Sequence, residues 1–220
     1  MLKPVSLLAA ALLCLLVPVL AVADVIINET NFPDILFREY VSLKWDENHN
    51  GKLCETEISA ATVIDVRYMG IESLQGIEYF TACTNLDCEG NQLTELDVSK
   101  NTALQKLVCS GNHLSSLGLS KNTALRELVC DGNQLSTLDL SENRNLIILN
   151  CSWNQLTSLD VSKNTALQYL YCYDNKLSSL DVSKNTALTY LSCPQNQLSS
   201  LDVSNNSLLD VLDCSENPLS

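Results

Sequence analysis

Cysteine is the most reactive residue type in this chain, and its spacing limits the chemistry open to it. There are ten cysteines in 220 residues. Seven recur at an interval of 21: Cys88, Cys109, Cys130, Cys151, Cys172, Cys193 and Cys214. A thiol can serve as a nucleophile, a metal ligand or half of a disulfide. The nucleophile needs a base, yet the two histidines, His49 and His113, share no repeat position that would pair one with a cysteine or serine. Metal binding needs a tetrahedron, which sulfurs in a single file do not make. Residues in register on neighbouring strands stand about 4.8 Å apart, while a relaxed disulfide wants Cβ atoms about 3.8 Å apart. What remains is cysteine as a small buried apolar side chain. The chain also lacks a phosphate loop, a metalloprotease pair and a dinucleotide motif. It reads as no enzyme, with no catalytic residue and no organic cofactor.

The elements that hold these cysteines follow from the same period. Asn91, Asn112, Asn133, Asn154, Asn175, Asn196 and Asn217 each follow a cysteine by three residues. A fixed period of this length means stacked coils, each too small to bury its own core. One coil reads Leu104-x-x-Leu107-x-Cys109-x-x-Asn112-x-Leu114-x-x-Leu117-x-Leu119. Leu107-Val108-Cys109 alternates in and out as a short strand does, and stacking one such strand per coil builds a parallel sheet. The asparagine amide that follows can bond turning backbone in its own and an adjacent coil. Leu117-Gly118-Leu119, elsewhere Leu-Asp-Val/Leu as in Leu96-Asp97-Val98 and Leu159-Asp160-Val161, repeats the in-out-in pattern with Asn122 after it. The expected fold is a β-rich solenoid of 21-residue coils, with short parallel strands on both sides and a small N-terminal helical cap. Cys83 takes the place of Leu104, Leu125 and Leu146, so it too is expected inside.

This pattern, Leu-x-x-Leu-x-Leu-x-x-Asn-x-Leu with Cys at the third leucine, resembles the bacterial leucine-rich repeat family. The short, nested version is the best match, over about residues 62–220. The resemblance implies an exported or cell-surface protein, internalin-like in general role. Such a protein would mediate protein–protein interaction or adhesion through the outward face of its sheet. The alternatives are a glycan-binding module, or a structural spacer attached to a further C-terminal domain.

Residues 1–23 read as a signal peptide: Lys3, an apolar run from Leu7 to Leu20, then Ala21-Val22-Ala23 before the cut. The run is short for a membrane span, so no membrane insertion is expected after cleavage, and the product would be secreted or on the cell surface. Residues 24–62 form the expected cap, with Asn31 capping a helix whose first turn holds Pro33. Residues 63–220 form the solenoid. The chain reaches Ser220 within a coil, and a continuation beyond it is expected.

Within the cap, the segment 46–57, Asp-Glu-Asn-His-Asn-Gly-Lys-Leu-Cys-Glu-Thr-Glu, resembles an EF-hand calcium loop. The resemblance implies side-chain oxygens from Asp46, Asn48 and Asn50, the backbone carbonyl of Lys52, both carboxylate oxygens of Glu57, and a sharp turn at Gly51. Cys54 stands where an oxygen or a water usually sits, and there is one loop where such loops work in pairs. With charge from Asp46 and Glu57 alone, the implied Ca²⁺ site is weak and structural.

The outward strand positions vary while the core does not. Ile148, Tyr169 and Tyr190 share one column, Tyr171 and Tyr173 are expected on the strand of Tyr169 and Asn150 on that of Ile148, and Trp153 follows the neighbouring strand. This cluster is the expected binding surface, because Tyr and Trp give large, stiff contact area with a polar tip. The competing explanation is that tyrosine favours strands and pairs across them. A formal net charge of −13 opposes phosphate backbones, so nucleic acid is excluded and a protein on a host or bacterial surface is the expected partner, with a glycan as the other candidate. The Asp97, Asp139, Asp160, Asp181 and Asp202 column, with lysines beside it, reads as a solvated face.

Overall fold

The computed structural model describes residues 24–220; the signal-peptide reading lies outside them. Eight three-residue strands stack in sequence order into one parallel sheet. They are β3 (Val63–Asp65), β4 (Asn85–Asp87), β5 (Lys106–Val108), β6 (Glu127–Val129), β7 (Ile148–Asn150), β8 (Tyr169–Tyr171), β9 (Tyr190–Ser192) and β10 (Val211–Asp213). The register repeats from coil to coil, with Leu86, Leu107, Leu128, Leu149, Leu170 and Leu191 in one inward column. The ladder runs on past the strand ends, for Cys130 N donates to Asn150 O (2.8 Å) and Gly132 N to Ser152 O (3.1 Å).

The cysteines lie on the inner side, as their phase requires. Cys83, Cys88, Cys109, Cys130, Cys151, Cys172 and Cys193 are buried, and none of the nine described cysteines is in a disulfide. Each asparagine of the first ladder makes several bonds at once. Asn112 Nδ2 donates to Cys88 O (3.0 Å) and Cys109 O (3.1 Å), while its Oδ1 accepts from Leu93 N (3.0 Å). The side chain thus closes its own turn and ties it to the preceding coil.

The other side of each coil corrects the expectation of two-sided strands. Among the described residues, Leu96-Asp97-Val98 and its copies form no strand. Backbone amides there are taken locally, as Asn101 N donates to Val98 O (3.0 Å) and Ser99 N to Asp97 Oδ1 (2.8 Å). Adjacent coils are joined by side chains instead: Asn122 Nδ2 donates to Val98 O (3.0 Å) and Asn101 O (2.9 Å). Turn formation consumes the donors a ladder would need, so the in-out-in pattern survives without a sheet.

The cap holds β1 (Val25–Ile26), α1 (Ile35–Trp45), β2 (Lys52–Leu53) and α2 (Glu55–Ala60). The N-cap of α1 is Asp34, not Asn31. Asp34 Oδ1 accepts from Leu36 N and Phe37 N (both 2.9 Å), and its Oδ2 accepts from Glu72 N (2.8 Å) in the first coil. Asn31 bonds Ile26 O and the Tyr79 hydroxyl instead. Phe32, Phe37 and Phe80 are fully buried where the cap meets the solenoid.

Candidate functional site

The outward face changes character along the sheet. Near the cap it is charged, and its charges pair: Arg67 with Asp65 (2.8 Å) and Asp87 (3.5 Å), Lys106 with Glu127 (2.7 Å). Farther along it becomes aromatic. Strand register places Ile148, Tyr169 and Tyr190 side by side, and Asn150, Tyr171 and Ser192 beside them. Tyr171 and Tyr190 meet with ring centroids 4.9 Å apart. Trp153 and Tyr173 meet edge to face at 5.0 Å. The seven residues singled out in the sequence are brought together, with one adjustment: β8 ends at Tyr171, so Tyr173 lies beyond the strand.

Strand propensity does not account for Trp153. It too lies past its strand, with φ 48°, and half its surface is exposed (52%). The same place is Gly90, Gly111 and Gly132 in the three preceding coils and Asp174, Gln195 and Glu216 in the three following ones, all at positive φ. A bulky residue there works against the backbone by about 1–2 kcal/mol.

One participant was missed in the sequence, and one residue outside the group shares the Trp153 place. Asp131 belongs to the column Ser110, Asp131, Ser152 and Tyr173; its Oδ1 accepts from the Ser110 hydroxyl (2.7 Å) and from Asn150 Nδ2 (3.0 Å). Burial, then the Asp131 carboxylate, raises the Tyr173 hydroxyl above its ordinary value. Burial, then Tyr190 and Tyr169, does the same at Tyr171. Tyr68 occupies the Trp153 place in the first coil, with φ 55°, and its hydroxyl bonds Glu89. A first interval of 22 residues, Tyr68 to Gly90, hides it from a strict count of 21.

The acidic column on the other side is structural. Asp139, Asp160, Asp181 and Asp202 each accept the backbone N–H two residues on (2.8–2.9 Å). In Asp160, hydrogen bonds from Ser162 hold the carboxyl below its ordinary value.

The 46–57 loop closes on itself. Asp46 accepts Asn50 N (3.0 Å) and Gly51 N (2.9 Å). Glu57 Oε1 accepts Glu47 N (3.1 Å) and Asn48 Nδ2 (2.9 Å), and its Oε2 accepts Cys54 N (2.8 Å). These bonds, Cys54 first, lower the Glu57 carboxyl despite its burial. Asn50 Oδ1 accepts Lys52 N (2.9 Å). The acceptors are thus occupied by the loop's own amides. Among the described residues no group of three or more His, Cys, Asp or Glu side chains is placed to hold a metal.

Burial also quiets the thiols, with Cys83 pushed up to about 11 and Cys151 and Cys193 to about 12. In native protein at mildly alkaline pH, Cys54 and Cys214, the two not buried, are expected to react with a thiol reagent. The other described thiols should react only on unfolding, as intact-mass counting would reveal. Rapid labelling of a third would mean that the column is open. His49 and His113 are exposed and far apart in the chain. The buried thiols and the turn-forming carboxylates thus serve the fold.

Comparison with known proteins agrees with this geometry. The solved functional domain of internalin J from Listeria monocytogenes, described as including a cysteine ladder, is 30% identical, with a TM-score of 0.57 over 91% of this chain and 54% of that one. The fold is an internalin-like leucine-rich repeat solenoid. A curated internalin J from the same species is 40% identical over 71 residues, which is 32% of this chain and 8% of that protein. The chain therefore spans only a part of either relative. A leucine-rich repeat protein of Leptospira interrogans (21% identity, TM-score 0.68, 76% of this chain and 53% of that one) and internalin C2 of Listeria monocytogenes (20%, 0.62, 87% and 96%) share the fold. No family model matches the chain.

Proposed function

We propose that this is an exported bacterial surface protein that binds another protein through the aromatic part of its sheet, around Trp153, Tyr171 and Tyr173. The observation that carries the reading is Trp153: exposed, edge to face with Tyr173 and off the strand. The later coils carry the polar Asp174, Gln195 and Glu216 at this place, and Trp153 offers there a large, stiff apolar surface suited to contact. Residues 24–220 should be immobilised and used to capture ligands from host-cell and bacterial-surface extracts, alongside a folded Trp153→Ala/Tyr171→Ala variant. The retained protein is expected to bind the variant at least about 30-fold more weakly, the scale of one hot-spot residue. Equal capture by both would leave a spacer role. A purely carbohydrate ligand would make the protein a glycan-binding module.

For the cap loop we propose weak calcium binding in a structural role, through Asp46, Asn48, Asn50, Lys52 and Glu57. The supporting observation is that α1 and α2 flank the loop, with Asp46 and Glu57 buried at its two ends, while β1 pairs with β2 where a second loop would otherwise pair. Calcium would replace loop hydrogen bonds, which keeps the affinity in the range of extracellular modules. Millimolar calcium is expected to raise the thermal midpoint of the wild type and not that of Asp46→Ala. Identical midpoints with calcium and with chelator would end this reading.

A further inference from the structure

The aromatic surface has an unbalanced charge. The cations on the cap-proximal sheet, Arg67 and Lys106, are engaged by Asp65, Asp87 and Glu127. Next to the rings the residues are Asp131 and Asp174, with Asp213 and Glu216 farther on, and none of these four forms an ion pair among the described residues. Asp131 is half-buried between serines, and both of its hydrogen bonds fall on Oδ1. Its other oxygen takes none among the described residues. Asn150, one of those partners, sits beside Tyr171 in the strand register. Trp153 meets Tyr173 edge to face with half its own surface exposed, and the face of an aromatic ring is its negative side.

Resting on the protein-binding reading above, we propose that Trp153, Tyr171 and Tyr173, with Asp131 as counter-ion, form a receptor for a cationic side chain, a lysine or arginine in an extended segment of the partner. A cation over such rings is attracted by their quadrupole, and more strongly when the site is partly desolvated. A carboxylate already fixed by two hydrogen bonds loses little freedom on meeting it. The protein's charge of −13 adds long-range attraction for a basic partner.

The test uses residues 24–220 and short peptides of repeated Gly-Ser-Arg, Gly-Ser-Lys, Gly-Ser-Glu or Gly-Ser. Calorimetry gives the affinity, and tryptophan emission, compared between wild type and Trp153→Ala, places the contact. The Arg or Lys peptide is expected to bind and to shift Trp153 emission. Asp131→Asn, which keeps both Oδ1 bonds, should weaken binding about fivefold, and Trp153→Ala about tenfold. Asp160→Asn, on the far side of the coil, should leave it unchanged. Equal effects of Asp131→Asn and Asp160→Asn would overturn the proposal in favour of a diffuse field. So would indifference to peptide charge, or an emission shift caused by a neutral oligosaccharide and not by arginine. If the peptides are inert while partner capture still depends on Trp153 and Tyr171, the cation receptor fails and the protein-binding reading stands. If both depend on nothing in the patch, both fail.

Discussion

Asn133→Ala is expected to lower the thermal midpoint by about 10 °C. Asn133 Nδ2 donates to Cys109 O (3.0 Å) and Cys130 O (3.1 Å), and its Oδ1 accepts from Leu114 N (3.0 Å). Alanine leaves the buried Leu114 N–H without a partner and takes one of two side-chain donors from Cys109 O and Cys130 O, which keep Asn112 Nδ2 and Asn154 Nδ2. The unpaired amide costs about 1–3 kcal/mol and each of the two other lost bonds about 1 kcal/mol, so a loss of about 3–5 kcal/mol follows. For a chain of this size each kcal/mol moves the midpoint by about 2–4 °C. Asn217→Ala is the internal control. Asn217 makes the equivalent bonds to Cys193 O (2.9 Å) and Leu198 N (3.0 Å) but is only partly buried, so water can take them over. Its substitution should cost about 1 kcal/mol. Melting curves followed by circular dichroism decide the matter. Equal shifts for the two variants would mean that the ladder stabilises through something other than satisfied buried backbone.

The joint between cap and solenoid should be at least as sensitive. Gly76 precedes the short 3₁₀ helix Ile77–Tyr79 with φ 104°. A Cβ there would overlap the Phe32 ring and stand 2.7 Å from the Asn31 carbonyl oxygen. Phe32 cannot yield, because it is fully buried and packs against Phe37 (5.9 Å), Tyr79 (5.7 Å) and Phe80 (6.4 Å). Gly76→Ala therefore combines backbone strain with overpacking, about 3 kcal/mol or more. Gly51→Ala also sits at positive φ (76°) but meets open space, so it carries the strain alone, about 1 kcal/mol. Limited proteolysis should release the cap from Gly76→Ala well before it releases it from Gly51→Ala. The reverse order would show that the Phe32 contact does not hold the joint.

The stack was legible in the sequence because the repeated residues report burial directly. A cysteine and an asparagine at a fixed interval can be read without knowing any neighbour. The second side of the coil was misread because Leu-Asp-Val has the alternation of a strand, while Asp97 takes Ser99 N for a turn, and alternation alone does not record who receives a hydrogen bond. Asn31 looked like a helix cap on local chemistry. The deciding contact, Asp34 to Glu72 N, spans 38 residues and leaves no local mark. Asp131 went unnoticed since its column is otherwise Ser110, Ser152 and Tyr173, with no period of its own, and its meaning comes from Asn150 in the next coil. Tyr169, Tyr171 and Tyr190 could be assembled from spacing alone because the solenoid turns sequence interval into distance.

That conversion reaches beyond one molecule. The stretch Leu-Asp-Val-Ser-Lys-Asn-Thr-Ala-Leu occurs unchanged at 96–104, 159–167 and 180–188. Each coil hands the next the same asparagine bonds and the same inward leucines. A gene that misaligns with its own copy during recombination can therefore lose or gain a whole coil and still encode a continuous core. An exchange between the copies at 159–167 and 180–188 removes or doubles the coil that carries Tyr169, Tyr171 and Tyr173, so the aromatic group can shrink or grow between descendants while the core stays continuous.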